Sequence, residues 1–207
     1  AEAHDLGLIH RDVKPKNIFI CRLGRNFDFV KVLDFGLVKH VGGGGDQSLT
    51  QEGTTGTPAY LAPEAAKGSK EIDARSDIYS LGCVAYWMLT GQTVFDGATA
   101  VATILKHVTE APVPPSQRTE NEVPADLEQL ILRCLEKEPD RRPQSAEELS
   151  ILLAQCRDAH LWRRKEARTW WKAHLPASAS VIPAACDAHQ VHVQRELEDE
   201  SKAATHL

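Results

Sequence analysis

The chain of 207 residues is 42% hydrophobic and 26% charged, with 24 basic against 29 acidic residues and a formal charge of −5. That balance is ordinary for globular proteins; it excludes wholesale disorder and offers no basic field for nucleic acid or an anionic membrane. The longest nearly apolar stretch, Ile78 to Leu89, is 12 residues, too short to span a bilayer.

No signal-peptide pattern opens the chain, because Ala1–Asp5 already carries two acids and a histidine. The expectation is a soluble, cytoplasmic protein with no membrane segment in this chain and no nucleic-acid partner. Cys21, Cys83, Cys134, Cys156 and Cys186 are odd in number and lack CxxC spacing. They read as reduced thiols, three of them on apolar helical faces, rather than as disulfides or a zinc site.

In chain order, residues 1–8 resemble the tail of a helix. Two β-rich runs, Asn17–Cys21 and Phe29–Leu33, flank a polar Gly24/Asn26 turn and predict a hairpin. From Asp34 to Glu64 there is no sustained periodicity, and Gly42–Gly45 is a flexible run, so a long functional loop is expected. Arg75–Thr90 is apolar nearly all round, which predicts a buried helix, with Ser76 able to cap its start and Gly91 its end.

Ala98–Val108 predicts a second helix, followed by a Pro-rich connection over Ala111–Pro124. Leu127, Leu130, Ile131, Cys134 and Leu135 then form one helical stripe after Pro124. Ser145 and Glu148 form a capping box before Leu149, Leu152, Leu153 and Cys156. Beyond Cys156 the composition shifts. Arg163–His174 predicts an amphipathic helix bearing Trp170 and Trp171, packed on the body, with Arg163, Arg164, Lys165 and Arg168 on a solvated face. Residues 176–207, Ala/Ser-rich and then acidic at Glu196–Glu200, read as a disordered linker or tail.

The chemistry-bearing run is His10-Arg11-Asp12-Val13-Lys14-Pro15-Lys16-Asn17, with Asp34-Phe35-Gly36 following the hairpin. Then come Gly56-Thr57-Pro58-Ala59-Tyr60-Leu61-Ala62-Pro63-Glu64, Asp77 at the start of the buried helix, and Arg142 in Asp140-Arg141-Arg142-Pro143. Taken singly these are bland: Asp12 or Asp34 reads as a turn acid or cap, Lys14 as a surface lysine, Asp77 as a dipole-favoured helix acid. Taken in this order and context, they resemble the serine/threonine protein kinases, closest to the eukaryotic-like type of bacteria.

The resemblance covers residues 1–156, the C-terminal lobe of that fold: mainly α (α+β), with a small β-hairpin at the catalytic loop. Residues 157–175 would be a helical extension and 176–207 the tail. It implies transfer of the ATP γ-phosphate to Ser/Thr hydroxyls of proteins. Such chemistry asks the protein for an in-line nucleophile, metal ions on phosphate oxygens and positive charge where negative charge develops.

By the match, Asp12 would orient the substrate hydroxyl and accept its proton, and Lys14 would contact the transferred phosphate. Asn17 and Asp34 would hold Mg²⁺, for which hard oxygen donors are suited. Thr57 would hold Asp12 and Lys14 in register; Lys14 and Thr57 together point to Ser/Thr rather than Tyr substrates. Glu64 and Arg142 would form a buried ion pair, and Asp77 would bond the catalytic-loop backbone. Arg11 beside Asp12 could pair with a phosphorylated loop residue, for which Thr50, Thr54 and Thr55 are candidates.

A complete kinase also carries a β-rich N-lobe with a glycine loop, a strand lysine and a helix glutamate. Nine residues before His10 cannot supply them, so the N-lobe is the missing partner. The chain is expected to be a fragment of a longer reading frame, inactive alone and aggregation-prone where the buried helix lacks cover. Two other classes remain: a non-catalytic pseudokinase scaffold, and a small-molecule phosphotransferase of the aminoglycoside type. Intact Asp12, Asn17 and Asp34 speak against the first, and the Gly56–Glu64 segment against the second.

Overall fold

A computed structural model describes residues 1–34 and 57–175. Phe35–Gly56 and 176–207, with the candidate phosphosites, the glycine run, Cys186 and the expected tail, lie outside the described residues. Two units are present, Ala1–Arg163 and a second beginning at Arg164.

The first unit opens on one helical turn, α1 (Glu2–Asp5), released by Gly7 at φ 74°. A short 3₁₀ turn, Pro15–Asn17, leads into β1 (Ile18–Leu23), which pairs antiparallel with β2 (Asn26–Val32). The hairpin starts one residue later and reaches further toward its tip than the hydrophobic runs suggest, because Asn17 is held in the 3₁₀ turn. After residue 57 come a 3₁₀ turn, Pro58–Tyr60, and α2 (Pro63–Ala66), so the end of the long irregular stretch is locally ordered. Then follow α3 (Ala74–Thr90), α4 (Ala100–Thr109), α5 (Ala125–Cys134) and α6 (Ala146–Gln155).

Helix α3 is the axis of the unit. Tyr79, Cys83 and Tyr86 pack with Ala62, Val94, Phe95, Ile131 and Leu135, while Ile78 meets Leu130, Cys134 and Leu149 on a second face. Gly82 allows the close crossing with α5: a Cβ there would sit 2.8 Å from Cys134 Cβ. The N-cap of α3 is Asp73, whose carboxylate accepts from Arg75 N at 2.9 Å, and not Ser76. Ser76 lies inside the helix and donates to Glu64 at 2.5 Å. Gly91, at φ 69°, closes the helix in the left-handed conformation that suits glycine.

The all-round apolar pattern of α3 does not bury every side. Leu81 is 38% exposed and Met88 67%. The helix nonetheless satisfies its buried polar groups: Ser80 donates to Tyr60 O at 2.7 Å and Tyr86 OH to Val113 O at 2.9 Å. Those bonds fix two loops to the helix.

At α6, Ser145 Oγ accepts from Glu148 N at 2.9 Å, half of a capping box. The Glu148 carboxylate does not return to Ser145 but accepts from Gln144 N at 2.7 Å and pairs with Arg133. Cys21, Cys83, Cys134 and Cys156 are all free thiols, with burial pushing Cys134 up to about 12. The second unit contains α7 (Arg164–His174), where the Trp170 ring lies edge to face with Trp171 at 6.1 Å and stacks on His174 at 4.7 Å.

Candidate active site

The loop that opens at His10 and Arg11 is fixed by one carboxylate. Asp77, 5% exposed near the start of α3, accepts from His10 N and Arg11 N, each at 2.8 Å. Its Oδ2 also accepts from His4 Nε2 at 2.8 Å. Two backbone amides that would otherwise be orphaned therefore find an ionic acceptor, a charge-assisted arrangement. Arg11 takes φ 64°, a left-handed turn that a non-glycine residue adopts only when its surroundings over-determine it. The double grip of Asp77 on residues 10 and 11 is that determination.

From this turn Asp12 rises into a small polar cluster. Lys14 Nζ lies 2.6 Å from Asp12 Oδ2. Asn17, 4% exposed, donates from Nδ2 to Asp12 O at 2.9 Å and to Asp12 Oδ2 at 3.1 Å. Both Asn17 amide protons are thus spent on Asp12, and its Oδ1 is left as an acceptor or a hard metal ligand.

His10 completes the frame. Asp12 N donates to His10 Nδ1 at 3.2 Å, so the ring proton resides on Nε2, which donates to Leu33 O at 2.9 Å. Leu33 N in turn donates to Asn17 O at 2.8 Å. The base of the hairpin is therefore tied to the catalytic loop from both sides. Asp34, the next residue, is exposed at φ 62°. The structure brings Asp12, Lys14 and Asn17 together and holds Asp34 one residue beyond the tie.

Thr57 is exposed at the start of its 3₁₀ turn, and among the described residues no hydrogen bond joins it to Asp12 or Lys14. Arg11 Nε is buried without a hydrogen-bond partner among the described residues. No group of three or more His, Cys, Asp or Glu that could hold a metal ion occurs among them. Among the oxygens that could serve a metal in this region are the Asn17 amide oxygen and the exposed Asp34 carboxylate. That pair suits Mg²⁺, which keeps several waters or phosphate oxygens for its remaining positions.

A second ionic centre stands apart from the cluster. Arg142, fully buried, donates in bidentate fashion to Glu64, Nη1 to Oε1 and Nη2 to Oε2, both at 2.8 Å. Its remaining donors go to Glu136 O at 2.8 Å, Arg75 O at 2.9 Å and Lys137 O at 2.9 Å. Burial pushes the Glu64 carboxyl up, but the Arg142 and Ser76 hydrogen bonds outweigh it and leave the group below the usual range. Beside this pair, Tyr79 OH meets His107 Nδ1 at 2.9 Å, and Lys137 Nζ donates to His107 O at 2.8 Å. Burial, reinforced by the Lys137 charge, pushes His107 down to about 4.

His4 and Asp73 carry no motif that marks them, and their positions emerge only when α1 and α3 are packed. His10 lies within the motif run, and its alternate bonding could have been suspected from its place beside Asp12.

A family model described as the protein kinase domain matches residues 2–151. The serine/threonine-protein kinase PknB of Mycobacterium tuberculosis is 44% identical over 147 residues, covering 71% of this chain and 22% of the relative. PknB of Mycolicibacterium smegmatis is 45% identical over 147 residues, covering 71% and 23%. The serine/threonine-protein kinase pkn3 of Myxococcus xanthus is 45% identical over 150 residues, covering 71% and 27%. The chain thus spans about a quarter of the length of these relatives.

Proposed function

The chain belongs to the protein kinase family, and we propose that the protein transfers the γ-phosphate of ATP to serine or threonine hydroxyls of protein substrates. The observation that carries the reading is the Asp12–Lys14–Asn17 cluster, one carboxylate oxygen gripped by both an ammonium and an amide. With Oδ2 so engaged, Asp12 Oδ1 is available to orient an incoming hydroxyl and take its proton. Lys14 supplies positive charge beside the nucleophile, where transfer places negative charge on the phosphoryl oxygens.

Mg²⁺ held by Asn17 Oδ1 and Asp34 would neutralise phosphate charge and fix its orientation. The chain's own contribution is rigidity. Asp77, His10 and Asn17 hold the loop so that the reacting groups meet at high effective concentration. Lys14 and Thr57, with the names of the relatives, favour Ser/Thr over Tyr hydroxyls. Arg11 Nε, buried without a partner among the described residues, supports regulation by phosphate on Thr50, Thr54 or Thr55. Residues 1–207 alone are expected to be inert, because the glycine loop and strand lysine of a nucleotide-binding lobe are not among them.

Transfer of label from γ-labelled ATP to a generic protein substrate tests this. It is run on residues 1–207 alone and on the same residues preceded by the glycine-loop lobe of a bacterial relative. The joined protein should yield phosphoserine or phosphothreonine, and Asp12→Asn should lower its rate about a hundredfold or more. Undiminished transfer by the Asp12→Asn protein overturns the assignment of Asp12. Steady transfer by residues 1–207 alone overturns the need for the second lobe.

A further inference from the structure

The hairpin that directly follows Asn17 at one end and leads to Asp34 at the other is irregular at one point. Cys21 pairs with Phe29 but Leu23 with Asn26, so the single residue Arg22 is opposed by two, Phe27 and Asp28. The extra residue makes a β-bulge in β2, and Asp28 occupies it at φ 57°. A bulge re-aims a side chain out of the alternating pattern of its strand. Here the re-aimed carboxylate accepts from the indole Nε1–H of Trp162 at 2.7 Å, across 134 positions of sequence.

Trp162 belongs to a segment that lies beyond the residues matched by the kinase family model yet within the first unit. That segment is fastened at its start, where Arg157 N donates to Asp126 Oδ2 of α5 at 2.5 Å. It is shaped by Ala159 N to Cys156 O at 3.0 Å, Leu161 N to Asp158 O at 3.0 Å and Arg163 Nε to His160 O at 2.8 Å. The segment therefore runs from the foot of α5 to the hairpin as a strap with two fixed points.

We infer that residues 157–163 form a strap that latches the hairpin through Trp162 and the bulged Asp28, making Trp162 a positioning residue for the strand pair that directly follows Asn17. An indole N–H to a carboxylate is a charge-assisted bond, stronger than its neutral counterpart. The left-handed backbone at Asp28 is a local cost, and the latch is what the hairpin gains from it. Holding β2 from its bulged side limits fraying of a two-stranded ribbon, which has little stability of its own. The strap thus couples whatever follows α6 to the frame of the catalytic loop.

The coupling is read without catalysis, so it stands or falls separately from the kinase assignment. Hydrogen exchange followed by mass spectrometry on residues 1–207 reports the amides of β1 and β2 against those of α3. Trp162→Phe keeps the ring and removes the donor; Asp28→Gly keeps the left-handed backbone and removes the acceptor. Each should accelerate exchange of the hairpin peptides several-fold and leave α3 unchanged. The double variant should fall well short of the sum of the single effects, because the two substitutions share the Trp162–Asp28 bond. Leu161→Ala, at an adjacent exposed position, should leave the hairpin rate as it was. Unchanged hairpin exchange in either single variant, additive effects in the double, or equal acceleration in α3 overturns the latch.

Discussion

Two clusters, each centred on a carboxylate facing a cation, differ in how far their bonding is complete. At the Glu64–Arg142 pair every guanidinium proton has an acceptor, and both carboxylate oxygens are engaged. At Asp12, Lys14 and Asn17 the bonding converges on one carboxylate oxygen, and among the described residues Asp12 Oδ1 and Asn17 Oδ1 keep capacity to spare. A saturated buried pair has nothing left to offer a ligand and serves to hold structure. An unsaturated one, in a loop held by Asp77, still has acceptors to offer, as the proposed transfer needs. Completeness of hydrogen bonding thus distinguishes the two clusters in the way the proposed roles of anchor and reactive centre require.

That contrast fixes an order of expected effects. Arg142→Ala leaves Glu64 as an uncompensated buried charge, and urea unfolding of residues 1–207 should show a loss of about 3–5 kcal/mol; a loss under about 1 kcal/mol would make the anchor dispensable. The Asp77→Ala variant strips two amides and an imidazole of their acceptor. A loss of about 2–3 kcal/mol is expected, with exchange of the His10 and Arg11 amides accelerated beyond that of α4.

His107 gives the anchor region a pH dependence. Its folded pKa, about 4, lies below the ordinary 6.5, so the unfolded chain binds more protons between those values. Stability should therefore be intact above about pH 6.5 and fall by up to about 3 kcal/mol as pH drops toward 4. His107→Gln should flatten that part of the stability profile; an unaltered slope would relieve His107 of the role.

Gly82→Ala places a Cβ against Cys134 and should cost about 1–3 kcal/mol through overpacking, seen as a lower urea midpoint. The smallest effect is reserved for the reactive centre. Asp12→Asn should change the stability of residues 1–207 by less than about 1 kcal/mol, while lowering transfer by the joined protein about a hundredfold or more. A large loss of stability there would erase the distinction between the two clusters.

Much of this was legible in the sequence, for physical reasons that can be named. Helices α4 to α6 announce themselves because a 3.6-residue apolar stripe leaves few other ways to bury Leu130, Ile131 and Leu149. The Asp12-to-Asn17 spacing is local, so a short loop and one 3₁₀ turn bring the two side chains together. What stayed hidden depends on contacts distant in the chain. Ser76 looks like a cap because its local pattern cannot show that Glu64 takes its hydroxyl. The meeting of His4 with Asp77 needs α1 laid against α3, and the Trp162–Asp28 bond needs a bulge that alternation alone does not reveal.

The polar side chains of α3 have a further consequence for chain length. Residues 35–56 connect two pinned ends: Leu33 is tied through His10 to the loop that Asp77 grips, and Tyr60 is tied directly to Ser80. For a flexible connection between two such fixed points the entropic cost grows only logarithmically, about 0.6 kcal/mol for a doubling of its length. Whatever number of residues lies between Leu33 and Tyr60, the separation of the two ends is therefore set by α3.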